Sequence, residues 1–163
     1  MARVFVGVGS NQDPERQLRL AVQALTDRFG RLRLSTVYAS VAVGVIGPDF
    51  FNMALEFATA ETPQVVAAAL RAIEGRQNEL HSASDLSGRA IDLDFLLYDE
   101  VVLDMPGLRL PREDIQRYAF VLRPLAELAP TLRHPLTGLC LADMWAAYPA
   151  HEQSLRMVEI ELT

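Results

Sequence analysis

The chain contains no lysine: all fifteen of its basic residues are arginines. That excludes a Schiff-base mechanism and the lysine-bearing phosphate loop of Walker-type kinases. Any phosphate the protein handles must be held by arginines, backbone amides or a metal, and the planar guanidinium fork suits phosphate oxygens. One cysteine, Cys140, is present. No internal disulfide can form, and a reducing cytoplasm is the expected setting. No apolar run reaches the roughly 18 residues of a membrane span. The opening MARVFVGVGS lacks the basic region, apolar stretch and cleavage pattern of a secretory signal. A net charge of −6 argues against general nucleic-acid binding.

What is there reads as a folded chain. Half of the 163 residues are hydrophobic, with no repeat, low-complexity tract or linker, so one domain over residues 1–163 with a substantial core is expected. Residues 3–9 read as a buried strand. Asp13-Pro14 reads as a capped helix start, and Leu18, Ala21, Val22, Leu25 and Phe29 give that helix its apolar stripe. Residues 31–40 alternate as a strand, a loop follows, and Phe50 to Ala58 reads as another strand. Thr62-Pro63 starts a second helix that runs to about His81, with Val65, Val66, Leu70, Ile73 and Leu80 inward. After the polar loop SASDLSG comes a third strand pattern, then a hairpin through Asp99-Glu100 into VVL. The order strand, helix, strand, strand, helix, strand predicts an α+β, ferredoxin-like βαββαβ sandwich with helices on one face and the other partly open for ligands. Extra C-terminal helices over 112–128 and 141–148 and a last strand over 156–162 complete the reading. Cys140 reads as a small core residue, His134 and His151 as surface residues, and Trp145 as the anchor of the last helix. GVGSN near the N-terminus lacks a full phosphate-loop pattern and reads as a strand-end turn.

The stretch GRAIDLDFLLYDE, from Gly88 to Glu100, carries the chemistry. On a strand, side chains alternate between faces, so Asp92 and Asp94 share one face while Ile91, Leu93 and Phe95 share the other. Burying an ionised carboxylate is costly unless it is paired or holds a metal. Two adjacent carboxylates make a compact oxygen site of the kind magnesium favours, with water and substrate phosphates completing the shell. Arg89 stands just before them. The pattern alone equally fits an edge strand with a wet, solubilising face.

Seven stretches, in order, carry a resemblance: VGVGSN at 6–11, STVYAS at 35–40, GPDFFNMAL at 47–55, AIE at 72–74, GRAIDLDFLLYDE at 88–100, LRLP at 108–111 and FVLRPLAELAP at 120–130. Together they resemble the 6-hydroxymethyl-7,8-dihydropterin pyrophosphokinases of folate biosynthesis. The resemblance implies transfer of pyrophosphate from ATP to the hydroxymethyl group of a reduced pterin, with two magnesium ions held by Asp92 and Asp94. It implies a catalytic role for Arg89 with those two aspartates. Around ATP it places Arg71, Glu74, Arg76, Arg89, Arg112 and Tyr118. Around the pterin it places Ser40, Val43, Phe50, Asn52 and Phe120. Asn52 would read the polar edge of the ring and Phe120 would stack on it. The partners implied are small molecules, with no nucleic acid and no membrane; the sequence does not give an oligomeric state.

The chain also departs from the family pattern. Where the family has a Gly-Arg pair and a further arginine after the glutamate matched by Glu74, this chain has Asn78, Glu79 and His81. Leu86-Ser87-Gly88 stands where the family has Trp-Gly-Pro. Pro111-Arg112 replaces Pro-His, and Tyr118, with Arg117 beside it, replaces an arginine. Arg76 and Arg117 are the candidate compensating cations. On the sequence, three uses stay open: a working pterin pyrophosphokinase, a related phosphotransferase with another substrate, and a non-catalytic pterin- or nucleotide-binding protein.

Overall fold

The computed structural model describes residues 1–41, 47–83, 89–149, 151 and 153–163. Strand β1 (Ala2–Ser10) leads into helix α1 (Pro14–Phe29). Two short strands, β2 (Arg33–Leu34) and β3 (Val37–Ser40), precede the long β4 (Phe50–Thr59). Helix α2 (Pro63–Ser82) and strand β5 (Asp92–Tyr98) complete the unit. The sheet order is β5–β1–β4–β3 with every neighbouring pair antiparallel, the split βαβ topology expected from the pattern. Beyond it, β6 (Leu103–Met105) and β7 (Leu108–Leu110) form a hairpin. Helices α3 (Asp114–Arg117), α4 (Ala119–Leu128) and α5 (Leu141–Ala147) follow, and β8 (Leu155–Val158) pairs with the outer edge of β3.

Residues directly opposite one another on paired strands share a face, so register decides which side chains meet. On one face, Val4, Val6 and Val8 of β1 lie opposite Phe57, Leu55 and Met53 of β4. With Leu93 and Phe95 of β5 they bury Leu18, Ala21, Val22 and Leu25 of α1 and Val66 and Leu70 of α2. Each Val, Leu, Met or Phe among them, fully buried, stabilises the fold by about 1.5–3 kcal/mol. The second face, expected to stay partly open, is covered in part by the C-terminal helices. There Phe5, Ala54 and Leu96 pack against Val121, Leu122, Leu125 and Ala126 of α4 and Leu141 and Met144 of α5. A bulge makes this possible on β5: the register against β1 shifts between Phe5 and Val6, and both Leu96 and Leu97 join the second cluster.

Several local expectations change. Thr62 caps α2 as expected, its Oγ accepting the Val65 N–H at 3.3 Å. Asp13, however, sits in the left-handed region at φ 48° and its side chain makes no capping bond; Pro14 alone begins α1 as foreseen. Residues 31–40 form two strands rather than one. Between them Ser35 donates its N–H to Ala54 O while its hydroxyl accepts the Ala54 N–H, both at 2.9 Å, so a side chain replaces one rung of the ladder. The segment after Asp99-Glu100 pairs with β7, not with β5, and the last strand ends at Val158. Trp145 does anchor α5: it packs in the second cluster and stacks on Tyr148 at 5.6 Å.

The inward face of α2 departs most. Val65 and Leu80 are 44% and 65% exposed. The last two turns instead present Glu74, Gln77, Asn78 and His81 to the protein. Gln77 Nε2 donates to Gln17 O and Oε1, and His81 Nε2 lies 2.7 Å from Gln12 Oε1. The i, i+3, i+4, i+7 stripe is present, but it is polar and satisfied by hydrogen bonds rather than apolar contact.

His134 is buried, at 1% exposure, not a surface residue. Its Nδ1 accepts the N–H groups of Leu136 and Thr137, each at 3.2 Å. The proton therefore belongs on Nε2, which is buried and has no partner among the described residues. Burial holds the pKa below its ordinary value. The unfolded chain consequently takes up a proton near pH 6.5 that the folded chain refuses, so the stability this residue contributes is present above that pH and lost as pH falls. His134→Asn keeps an acceptor in place and removes the titration. Thermal melts of parent and variant should show the parent losing ground between pH 7 and pH 5, by at most about 1.4 kcal/mol per unit. Parallel pH profiles for the two proteins would show that His134 is protonated without cost.

Candidate active site

Two glycines on β1 create the site. Gly7 and Gly9 point to the second face, opposite Ala54 and Asn52 of β4 on one side and Asp94 and Asp92 of β5 on the other. Having no side chains, they leave a trough along the central strand between a row of carboxylates and a row that carries an amide. The two rows are two strand spacings apart, roughly 10 Å. At Gly9 the requirement is steric as well, because a Cβ there would lie 2.7 Å from Asn52 Oδ1. The resulting cleft has a volume of about 370 Å³.

Its two ends differ in chemistry. At one end Asn52, buried, donates through Nδ2 to Ser40 Oγ at 3.1 Å, which fixes the amide and leaves Oδ1 toward Gly9. Phe50, Tyr118 and Phe120 line the same end, and Tyr118 stacks on Phe120 with ring centroids 4.9 Å apart and planes 18° apart. At the other end stand Asp92, Asp94 and Asp114. Arg112 bridges two of these, with a guanidinium nitrogen 3.5 Å from Asp94 and Nε 3.1 Å from Asp114. Arg89 Nε lies 3.4 Å from Asp92, and its NH2 group is bonded to Glu74.

Charge is unbalanced at this acidic end. Burial pushes the Asp94 carboxyl up to about 6; Arg112 opposes the rise, and Asp92, Asp114 and Glu74 add to it. Arg112 in turn is held above its ordinary pKa: burial works against its charge, but Asp94 and Asp114 outweigh it.

The cleft gathers most of the residues singled out in the sequence. Ser40, Phe50, Asn52, Asp92, Asp94, Tyr118 and Phe120 line it, and Arg89 and Arg112 flank its acidic end. Glu74 sits behind β5, its oxygens taken by Arg89 and by the Leu93 N–H. Arg71 and Arg76 are exposed on α2, and among the described residues neither lines the cleft. Arg117 is exposed and paired with Glu113. Val43 and Leu86-Ser87-Gly88 lie outside the described residues. The sequence reading missed Gly7, Gly9 and Asp114. Alternating glycines inside a strand were the available signal, since they mark close approach of a backbone or ligand.

The family model for 7,8-dihydro-6-hydroxymethylpterin-pyrophosphokinase matches residues 5–130. The chain belongs to this family. The 2-amino-4-hydroxy-6-hydroxymethyldihydropteridine pyrophosphokinase of Pseudomonas aeruginosa is 39% identical over 152 residues, which cover 90% of this chain and 92% of that one. The protein of the same name from Aquifex aeolicus is 30% identical over 141 residues, 83% of this chain and 86% of that one. The fold is that of the wild-type HPPK-DHPS of Plasmodium falciparum, with a TM-score of 0.70 at 11% identity. The match covers 90% of this chain and spans 44% of that longer one.

The raised Asp94 pKa links the site to stability. The folded chain holds a proton on Asp94 between about pH 4 and pH 6 that the unfolded chain has lost. Stability is therefore fully present below about pH 4 and falls as pH rises through 6. Asp94→Asn removes the burdened charge. Its melting temperature should exceed the parent's at pH 7.5, with the gap closing toward pH 4. A variant less stable than the parent at pH 7.5 would mean that the Arg112 contact outweighs burial.

Proposed function

We propose that the cleft transfers the pyrophosphoryl group of ATP to 6-hydroxymethyl-7,8-dihydropterin in folate biosynthesis. The products are the pterin diphosphate and AMP. The hydroxymethyl oxygen bonds to Pβ, the bridge oxygen between Pα and Pβ leaves with AMP, and the hydroxyl proton is released. The observation that carries this reading is the single row Asp92–Gly9–Asn52 across three strands. It joins an amide and aromatic slot for a flat heterocycle to an acidic end for a charged phosphate group. We read residues 1–163 as one domain of this family. A cytoplasmic setting, where ATP is plentiful, suits it, and the net charge of −6 suits small-molecule partners rather than nucleic acid.

Each part of the chain has a task in this reaction. Phe120, extended by Tyr118, offers the pterin a stacking surface, and Phe50 closes the slot. The Asn52 amide, oriented by Ser40, meets the donor and acceptor edge of the ring. Beyond the acidic end, a second hollow of about 420 Å³ shares Asp114 with the cleft and is bordered by Met105, Leu108, Arg109 and Arg112. Its position suits the nucleoside of ATP, with the phosphates running past Arg112 toward Asp92 and Asp94. Arg89 and Arg112 lie on either side of those phosphates.

The donor set fits magnesium: hard carboxylate oxygens, two on one face, in a region where negative charge already exceeds positive. Among the described residues no group of three or more ligating side chains is close enough to hold a metal by itself. Asp92 and Asp94 would hold two magnesium ions only with phosphate oxygens and water completing the shell. Magnesium held there would neutralise phosphate charge and align the reacting oxygens.

Purified protein given magnesium, ATP and 6-hydroxymethyl-7,8-dihydropterin should form AMP and the pterin diphosphate. ADP in place of AMP would mark a simple kinase. Pterin binding with AMP never above background would turn the reading into one of a binding protein. Calorimetry should find magnesium–ATP binding in the parent and none in Asp92→Ala or Asp94→Ala; unchanged binding in either would remove it from the metal site.

Gly9→Ala tests the other end of the cleft. The added methyl displaces the Asn52 amide from a position 2.7 Å away. Loss of about one hydrogen bond should raise KM for the pterin roughly 3- to 10-fold. KM for ATP should stay within twofold. An unchanged pterin KM would take Asn52 out of pterin recognition.

A further inference from the structure

β5 is an edge strand of the sheet, and among the described residues its outer edge has no strand partner. Unpaired N–H and C=O groups on such an edge are costly when buried and leave a strand free to shift when exposed. Here two side chains one turn apart on α2 take up backbone groups just before β5 and at its start. Asn78 Oδ1 accepts the N–H groups of Ala90 and Ile91 at 2.7 and 3.0 Å, and its Nδ2 donates to Ile91 O at 3.0 Å. Glu74 Oε2 accepts the Leu93 N–H at 2.7 Å, and its other oxygen holds Arg89. Together they bond to residues 89, 90, 91 and 93, and so bracket Asp92 on both sides.

We propose that Asn78 is a positioning residue. It clamps the backbone that carries Arg89 and Asp92 so that both groups are set for magnesium–ATP before the nucleotide arrives. This rests on the pyrophosphokinase reading above. Three features single out Asn78 within the bracket. Its three bonds all go to backbone groups, so they fix the strand rather than a movable side chain. The carboxamide is a donor and an acceptor at once, and therefore copies the peptide group of an absent neighbouring strand. It also stands next to Gln77, which is buried against α1, so the helix that carries it is itself anchored. Alanine at 78 leaves the Ala90 and Ile91 N–H groups without partners; aspartate keeps both acceptor bonds and loses the donated one.

The test combines hydrogen exchange with kinetics on the full chain. Asn78→Ala should speed exchange of the Ala90 and Ile91 amides at least tenfold. It should raise KM for ATP or lower kcat by roughly tenfold, the effect of about 1.4 kcal/mol of lost positioning, and leave KM for the pterin within twofold. Asn78→Asp should keep both amides protected. Unchanged exchange at Ala90 and Ile91 would overturn the proposal. So would an equal rise in both KM values together with a drop in melting temperature, since that marks general loosening. If the parent forms no AMP and binds no magnesium–ATP, the pyrophosphokinase reading falls by itself. The exchange rates then decide alone whether Asn78 holds the strand.

Discussion

One face of the central strand must be bare while its other face is fully buried. β1 meets both demands through its alternation. Val4, Val6 and Val8 are at most 2% exposed beneath α1 and α2, while Gly7 and Gly9 face the cleft. Glycine within a strand costs about 0.5–1 kcal/mol against alanine. A strand with partners on both sides can bear this, because the ladders to β4 and β5 hold its backbone. An edge strand with the same two glycines would lack one of those ladders. The cleft therefore depends on β1 being central. Its width is then set by geometry alone, as the distance between the strands on either side.

The same choice shapes the second layer. α4 and α5 cover the sheet where β1 carries Phe5 and β4 carries Ala54, and the first turn of α4 borders the cleft at Gly7 and Gly9. The cleft is the uncovered part of a covered face. That position explains the electrostatics, because Asp94 is dry enough for its charge to be opposed, yet still lines an opening. Surplus negative charge held beside two arginines is poorly arranged for stability and well arranged for a substrate that arrives with phosphates and a divalent cation.

Much of the fold was legible because period-two and period-3.6 patterns coincide with burial. The valines of β1, the stripe of α1, and Thr62-Pro63 at the start of α2 all read correctly. Val65 and Leu80 are hydrophobic but face outward, and the inward face of α2 at its C-terminal end is Glu74, Gln77, Asn78 and His81. Each of these is satisfied by a partner distant in sequence, and periodicity carries no information about partners. α4 was found as a helix, but its place on the second face was missed. Its run of buried residues (Val121, Leu122, Leu125, Ala126 and Leu128) called for more cover than a one-faced sandwich provides. In the site, alternation alone put Asp92 and Asp94 on one face. Asn52 and Phe120 came from family resemblance; nothing in their spacing marked them. Asp114 enters the cleft through the fold of the 110–118 segment and had no local signature.

The positions where this chain departs from its family's cations now have a physical description. Glu79 is exposed on α2. His81 is buried, with its ring nitrogen against Gln12, so that position ties α2 to the turn after β1 rather than facing a phosphate. Tyr118 adds a second ring to the Phe120 surface in place of a charge. Asn78 bonds the backbone at Ala90 and Ile91, just before β5. Three of these four changes exchange long mobile side chains or bare backbone for groups fixed by packing or hydrogen bonds. Arg89 and Arg112 stand beside the carboxylates at the acidic end of the cleft. What stabilises a developing phosphate charge is charge already in position, so the contacts that hold Arg89 to Glu74 and Arg112 to Asp114 bear on the site. In that light the polar face of α2 belongs to the site as much as the residues that line it.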